Sequence, residues 1–89
     1  MVSQDILIIN RLGLHARAAA QLVRLANEYP CEIGIDKTGQ VSDAKSVMQV
    51  LMLGATDGTA LIVSADGERE DEALIAIVDL FVARFNELE

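Results

Sequence analysis

Four segments of the chain carry the apolar spacing of β-strands. Residues 2–9 end in a β-branched apolar run, which predicts a first strand that the turn at residues 10–13 stops. Residues 31–36 and 40–43 flank a Lys-Thr-Gly turn, so they predict a short hairpin. Residues 59–65 predict a fourth strand, which ends before an Asp-Gly pair.

Two longer segments carry the apolar spacing of helices. Residues 16–28 predict a first helix, which stops before Tyr29-Pro30 because a residue that precedes proline avoids the helical region. Its apolar positions are Ala19, Leu22, Val23 and Ala26. The closing helix begins with three acidic residues, 70–72, whose charges favour the positive end of the helix dipole. Its apolar stripe consists of Leu74, Ile77, Val78, Phe81, Phe85 and Leu88.

A third, shorter helix is predicted between Ser46, which can cap its start, and Gly54, which can end it. The segment is apolar on nearly every side. Val50 and Leu53 share one face and are expected in the core, so the other apolar side chains, Val47, Met48 and Leu51, keep partial exposure. An exposed apolar patch on a small protein marks a docking site. The alternative, a tightly enclosed core helix, fits this segment equally well.

The element order is β-α-β-β-α-β-α. It predicts an α+β fold of two layers, with three helices on one face of a four-stranded, mainly antiparallel sheet. With 89 residues, well under the ~150 of a usual domain, residues 1–89 form a single domain. A hydrophobic content of 52% is enough for one core and argues against disorder.

Composition narrows the classes of partner and site. A net charge of −7 and only 3% aromatic residues argue against nucleic acid. One cysteine, Cys31, and one histidine provide neither a disulfide nor a metal centre, so we expect no metal and treat Cys31 as an apolar filler. Without an apolar stretch of ~20 residues or a signal-like start, we expect no membrane insertion and a cytoplasmic protein.

The charge is unevenly spread along the chain. The first 27 residues carry three arginines against one aspartate, whereas the last 24 carry eight acids against two arginines. This asymmetry suggests a local basic surface that meets an acidic partner protein. Simple scatter is the alternative, and the charge counts alone favour it.

His15 is the residue most suited to chemistry, because it titrates near neutral pH and follows a glycine turn at the start of a predicted helix. Helix starts expose unpaired amides, so those of Ala16 and Arg17 can surround an anion held at the ring. The Arg17 side chain adds a fixed positive charge. Together they describe a phosphoryl site with His15 as nucleophile. The commoner arrangement, a histidine that caps a helix beside an unrelated arginine, is the alternative.

Helical spacing also predicts a docking surface around this site. Four residues of the first helix share a stripe opposite its apolar face: Arg17, Ala20, Arg24 and Asn27. Val47, Met48 and Leu51 supply an adjacent apolar patch. Apolar contact is expected to give affinity and the arginines orientation.

Three motifs resemble those of the histidine phosphocarrier (HPr) family of the bacterial phosphoenolpyruvate-dependent phosphotransferase system. They are the Gly-Leu-His-Ala-Arg run at residues 13–17, the Ala-Lys-Ser-Val-Met run at 44–48 and the Ser-Ala-Asp-Gly run at 64–67. The resemblance spans the whole length, and the first two motifs stand at the family's separation. It implies the open-faced β-sandwich of that family.

The resemblance also implies roles. His15 would accept a phosphoryl group on Nδ1 from Enzyme I, which uses phosphoenolpyruvate, and pass it to EIIA-type acceptors. Arg17 would attend that group, and Ser46 would take a regulatory phosphate in lineages with HPr kinase/phosphorylase. The protein is then a monomeric covalent carrier without a cofactor, and not a stand-alone catalyst.

The chain departs from the family pattern at three positions. Ala18 replaces the usual proline, so the helix entry must rely on Gly13 and packing. Gln49 stands where many relatives have glycine or lysine, and Met52 where smaller residues are common. These positions leave open the partner preference and the choice between the sugar-system carrier and its nitrogen-regulatory paralogue. Two other functions stay open: a regulatory module switched at Ser46 without phosphotransfer, and a small-ligand-binding domain.

Overall fold

Four strands form one sheet, and every pairing between them is antiparallel. The computed structural model describes residues 1–87. The elements in chain order are β1 (Val2–Leu7), α1 (Ala16–Ala26), β2 (Glu32–Lys37), β3 (Gln40–Asp43), α2 (Val47–Met52), β4 (Ala60–Asp66), α3 (Glu70–Val82) and a final 3-10 turn (Arg84–Asn86). The strands lie in the sheet in the order β1-β4-β2-β3. The predicted element order and fold class are confirmed.

The register of the sheet separates a covered face from an open one. β1 pairs with β4 from Val2 opposite Ala65 to Leu7 opposite Ala60. Side chains alternate along β4, so that Leu61, Val63 and Ala65 are buried beneath the helices. Ile62, between them, is 42% exposed on the open face.

The core lies between the sheet and the three helices. Its largest fully buried side chains include Ile8, Leu22, Ile35, Ile77 and Phe81. Cys31 is a free thiol with 2% exposure, so the prediction of an apolar filler is confirmed. None of the helices within residues 1–87 is long and apolar enough to cross a membrane.

The predicted ends of β1 and α1 each differ from the structure by two residues. β1 ends at Leu7 instead of residue 9. Ile8 still bonds to the segment before β4: its N–H donates to Thr59 O at 3.0 Å and its carbonyl accepts the Gly58 N–H at 2.8 Å. α1 ends at Ala26 instead of residue 28, and the N–H of Asn27 closes the last turn on Val23 O. Neither difference moves a core residue to the surface.

The prediction that the closing helix continues through Phe85 is wrong. α3 ends at Val82, and Arg84, Phe85 and Asn86 take left-handed φ angles of 55°, 55° and 62°. Phe85 is buried nonetheless, edge-on to Phe81 with ring centroids 4.9 Å apart. The core therefore keeps the apolar side chain while the backbone leaves the helical path. Leu88, the last residue of the predicted stripe, lies outside the described residues.

Candidate functional site

His15 stands at the boundary between a glycine turn and α1. Gly13 has a left-handed φ of 63°, and its N–H donates to Asn10 O at 3.1 Å. The next residue, Leu14, is buried and donates its N–H to Ala55 O at 3.0 Å. His15 is therefore the N-cap of α1, one position before its first residue, with a side chain that is 27% exposed.

Both nitrogens of the His15 ring are engaged. Nδ1 accepts the N–H of Arg17 at 3.2 Å, and Nε2 contacts Oε2 of Glu87. A backbone amide can only donate and a carboxylate can only accept, so the neutral ring carries its proton on Nε2. The lone pair is then on Nδ1, directed at the first turn of α1.

Glu87 is held in turn by Asn10. The Nδ2 atom of Asn10 donates to Glu87 Oε1 at 2.9 Å and to Gly13 O at 2.8 Å. Asn10 is fully buried, and its Oδ1 has no hydrogen-bond partner within the described residues. Burial acts to raise the pKa of Glu87, but the hydrogen bonds from His15 and Asn10 and the nearby positive charges outweigh it and leave that pKa lowered. Glu87 is therefore a carboxylate at neutral pH.

A groove of about 470 Å³ opens beside the ring contact. Arg11, Leu12, Arg17 and Glu87 contribute to its lining. The groove thus places two arginines at the amino end of α1, where the positive end of the helix dipole favours an anion. The structure brings His15, Ala16 and Arg17 together, and their chemical roles stay predictions.

The helix α2 exposes the apolar side chains that were expected outside the core. Val47, Met48 and Leu51 are 41%, 69% and 39% exposed, whereas Val50 is buried. The alternative of a tightly enclosed core helix is therefore wrong. Met52, which the docking prediction omitted, is 69% exposed as well.

The predicted stripe on α1 is exposed and adjoins α2. Arg17, Ala20, Arg24 and Asn27 all lie at the surface. The two helices run in opposite directions, because Asn27 Nδ2 lies 3.5 Å from Lys45 O at one end and Leu14 bonds Ala55 at the other. The carboxyl end of the stripe therefore adjoins the start of α2.

Ser46 is the N-cap of α2, as predicted. Its Oγ accepts the N–H of Gln49 at 3.3 Å. The side chain of Gln49 points back and accepts the N–H of Asp43 at 2.9 Å. Gln49 therefore stabilises the entry to α2 within the chain.

Glu87 and Asn10 are the site residues that the sequence analysis missed. Glu87 is separated from His15 by 72 positions, and Asn10 was recognised only as part of a turn. No local pattern links the three residues, because their contact depends on the left-handed turn after α3. Within residues 1–87 no group of three or more His, Cys, Asp or Glu side chains is placed to hold a metal ion.

Known proteins resemble this chain over its full length. The family model described as "PTS HPr component phosphorylation site" matches residues 2–83. The phosphocarrier protein HPr of Pseudomonas aeruginosa is 49% identical over 90 residues, which is 100% of both chains. The crystal structure of HPr-C-His from Thermoanaerobacter tengcongensis matches 100% of both chains with a TM-score of 0.96 and 38% identity. That of an HPr dimer from the same organism has a TM-score of 0.79 and 39% identity, and it covers 98% of this chain and 100% of that chain.

Proposed function

Since this chain belongs to the HPr family of phosphocarrier proteins, we propose that His15 is its phosphoryl acceptor. Membership supports a phosphocarrier role in the phosphotransferase system. The finer proposal is that Nδ1 of His15 takes the group from phosphorylated Enzyme I and passes it to EIIA-type proteins. The observation that carries it is the N-cap position of His15, which directs the Nδ1 lone pair at the amides of α1 beside Arg17.

The transfer step needs little beyond positioning and charge. The Nδ1 lone pair attacks phosphorus, and the bond between phosphorus and the donor breaks with its electron pair left on the donor. Because Nδ1 then has no lone pair, the Arg17 N–H is released from it and can bond a phosphoryl oxygen together with the Ala16 N–H. The Arg17 guanidinium neutralises the added negative charge.

Kinetics with purified Enzyme I and phosphoenolpyruvate test these roles. His15→Ala should gain no acid-labile phosphoryl group, and a phosphorylated His15→Ala protein contradicts the assignment. Arg17→Ala should keep the fold and lower kcat by ~10²–10³-fold, the usual cost of one donor that stabilises a transition state. Arg24→Ala, on the same stripe, is the matched control and should raise KM instead. If Arg17→Ala and Arg24→Ala change kcat and KM equally, Arg17 has no role in the transfer step beyond that of the stripe.

Docking would use the stripe on α1 together with the apolar side chains of α2. Val47, Met48 and Leu51 supply the apolar contact, whereas Arg24 supplies a positive charge on the exposed stripe of α1. Asn27 is at the end of the stripe next to α2, and small Ala20 leaves room for close approach. An acidic partner surface with an apolar centre fits this combination.

A pair of serine substitutions tests the docking surface. Met48 is 69% exposed on α2 and Ile75 is 63% exposed on α3, so both changes remove similar apolar area from water-facing positions. Met48→Ser should raise the KM for Enzyme I, and Ile75→Ser should leave it unchanged. A docking site elsewhere is indicated if chemical-shift mapping with Enzyme I perturbs neither α1 nor α2.

A regulatory phosphate at Ser46 is the second part of the proposal. A phosphate adds about −1.5 to −2 charges, which favour the amides and positive dipole at the start of α2. The same charge adjoins Val47 and Met48, so it would oppose an acidic partner and require desolvation on docking. Transfer should fall while the fold is retained.

Ser46→Asp should reproduce this effect in part, since its charge is smaller. Ser3→Asp, on exposed β1, adds the same charge far from α2 and serves as the control. Equal Enzyme I kinetics for unmodified, Ser46→Asp and phosphorylated protein exclude the switch. A lower melting temperature after phosphorylation contradicts the stabilisation of α2. HPr kinase/phosphorylase is the proposed modifying enzyme where a host has it.

We also propose a cytoplasmic monomer. Sedimentation at micromolar concentration should give one 9.6 kDa species. A stable dimer contradicts this state.

The regulatory module without phosphotransfer is the alternative function, and it is favoured if partners bind through α2 while His15 takes no phosphoryl group.

A further inference from the structure

We infer that Glu87 is a positioning residue for His15, which holds Nε2 so that Nδ1 faces the start of α1 and stabilises the positive charge that the ring gains on transfer. This inference rests on the proposed phosphoryl transfer. It follows from the contact of Glu87 Oε2 with His15 Nε2 and from the buried support that Asn10 gives Glu87.

Two contacts on opposite sides fix the orientation of an imidazole ring. The bond from Arg17 N–H to Nδ1 is 3.2 Å long, so by itself it restrains one edge of the ring weakly. The carboxylate at Nε2 restrains the other edge, and a hydrogen bond to a charged acceptor is the stronger kind. Without Glu87 the ring, which is 27% exposed, can rotate away from the helix start.

The chain adopts a costly conformation that places Glu87 at the ring. Arg84, Phe85 and Asn86 are three consecutive left-handed residues that are not glycine. Each is disfavoured relative to the right-handed region, because its Cβ lies too close to the following carbonyl oxygen. Burial of Phe85 and the two hydrogen bonds to Glu87 offset this cost. Strained backbone of this kind concentrates at sites that require a fixed geometry.

Charge balance explains why a carboxylate suits this position. Before transfer, a ring whose lone pair is on Nδ1 donates its Nε2 proton to Glu87. After Nδ1 bonds phosphorus, that proton stays on Nε2 and the ring carries a positive charge. Glu87 then faces a cation, and the interaction becomes stronger in the phosphorylated protein than in the free one. Arg11 and Arg17, the cations that line the same groove, would stabilise the phosphoryl group and not the ring.

Two substitutions separate the hydrogen bond from the charge. Glu87→Ala removes both, whereas Glu87→Gln keeps an oxygen that accepts the Nε2 proton. Glu68→Gln removes one exposed carboxylate in the loop between β4 and α3, at the opposite end of the sheet, and is the matched control. Amide spectra of all variants establish that the fold is retained before any comparison is made.

The first measurement is the NMR signal of the His15 Nε2 proton in the unphosphorylated protein. A proton held by a carboxylate exchanges slowly and appears far downfield. We expect this signal in the wild type, Glu68→Gln and Glu87→Gln, and its loss in Glu87→Ala. A signal that persists unchanged in Glu87→Ala overturns the positioning role.

The second measurement is the fraction of protein phosphorylated at equilibrium with Enzyme I and a fixed ratio of phosphoenolpyruvate to pyruvate. Both Glu87 variants lose the charge that faces the cationic ring after transfer, so the equilibrium constant should fall by about tenfold in each. Glu68→Gln should match the wild type. If the wild type is phosphorylated and both Glu87 variants reach the same phosphorylated fraction, the inference about Glu87 fails while the proposed function stands. If the wild type takes no phosphoryl group, the proposed function fails, while the proton signal still decides whether Glu87 holds the ring.

Discussion

Replacement of Gly13 by alanine should both destabilise the fold and displace His15. Gly13 has a φ of 63°, and a Cβ added there would lie 2.5 Å from Ala55 O and 2.8 Å from the Cα of Thr56. Both atoms are backbone, so the loop after α2 must move. Ala55 O is also the acceptor of the Leu14 N–H at 3.0 Å, and Leu14 directly precedes His15.

The expected cost has a conformational and a steric part. A left-handed alanine costs about 1–2 kcal/mol relative to a right-handed one. Forced displacement of packed backbone adds roughly 1–3 kcal/mol, the range seen for overpacked interiors. The sum is about 2–5 kcal/mol, which is a large share of the marginal stability expected of a small domain.

Gly54→Ala is the matched control. Gly54 has a φ of 60°, nearly that of Gly13, but a Cβ added there has no heavy atom within 4 Å. The conformational part, including the smaller entropy of the unfolded chain, is therefore shared by the two variants. Urea unfolding should show Gly13→Ala to be less stable than Gly54→Ala by about 1–3 kcal/mol.

The transfer assay supplies the second comparison. Gly13→Ala, while folded, should accept the phosphoryl group more slowly than Gly54→Ala, because the displaced Leu14 carries the His15 backbone with it. Equal free energies of unfolding in the two alanine variants refute the steric argument. Equal transfer rates, with unequal stabilities, refute the coupling between the Gly13 turn and His15.

Three further predictions concern the core, the pH dependence and the thiol. Phe85→Ala should cost about 3–5 kcal/mol in urea unfolding, whereas Val82→Ala, at a position 64% exposed, should change little. The hydrogen bond from Gly67 N–H and the nearby amino terminus lower the pKa of Glu70. Glu70 in turn raises the pKa of the amino terminus from 8.0, so the pair stabilises the fold near neutral pH. The stability advantage of the wild type over Glu70→Gln should therefore vanish as pH falls well below 4.5 and shrink as pH rises above 8.0; a constant difference contradicts the pairing. Cys31, 2% exposed, should react with a thiol reagent only upon unfolding, and rapid reaction of the native protein contradicts its burial.

Local patterns predicted α2 and its exposure because the relevant physics is local. Ser46 and Gly54 mark the ends of the helix, and a helix of six residues on a sheet can bury only one side. Val50 accordingly enters the core, and Met48 faces water. The same reasoning omitted Met52, because helical spacing alone does not show which residues of the last turn face solvent.

Helical spacing predicted the burial of Phe85 but not its backbone. A stripe at intervals of three and four identifies residues that share a core, and Phe81 and Phe85 do share it. It carries no information about handedness beyond the last helical residue. The contact of Glu87 with His15 depends on that left-handed turn and joins positions 72 apart, so a sequence pattern cannot indicate it.

The two ends of α1 separate the proposed chemistry from its proposed regulation. His15 caps the amino end, and Ser46 adjoins the carboxyl end through Asn27 and Lys45. Twelve helical steps at ~1.5 Å give roughly 18 Å between the ends. Surface charges at this distance are largely screened, since the Debye length is about 8 Å at physiological salt. A phosphate at Ser46 would therefore act on the bound partner and not on the ring, so it should raise KM for Enzyme I and leave kcat unchanged.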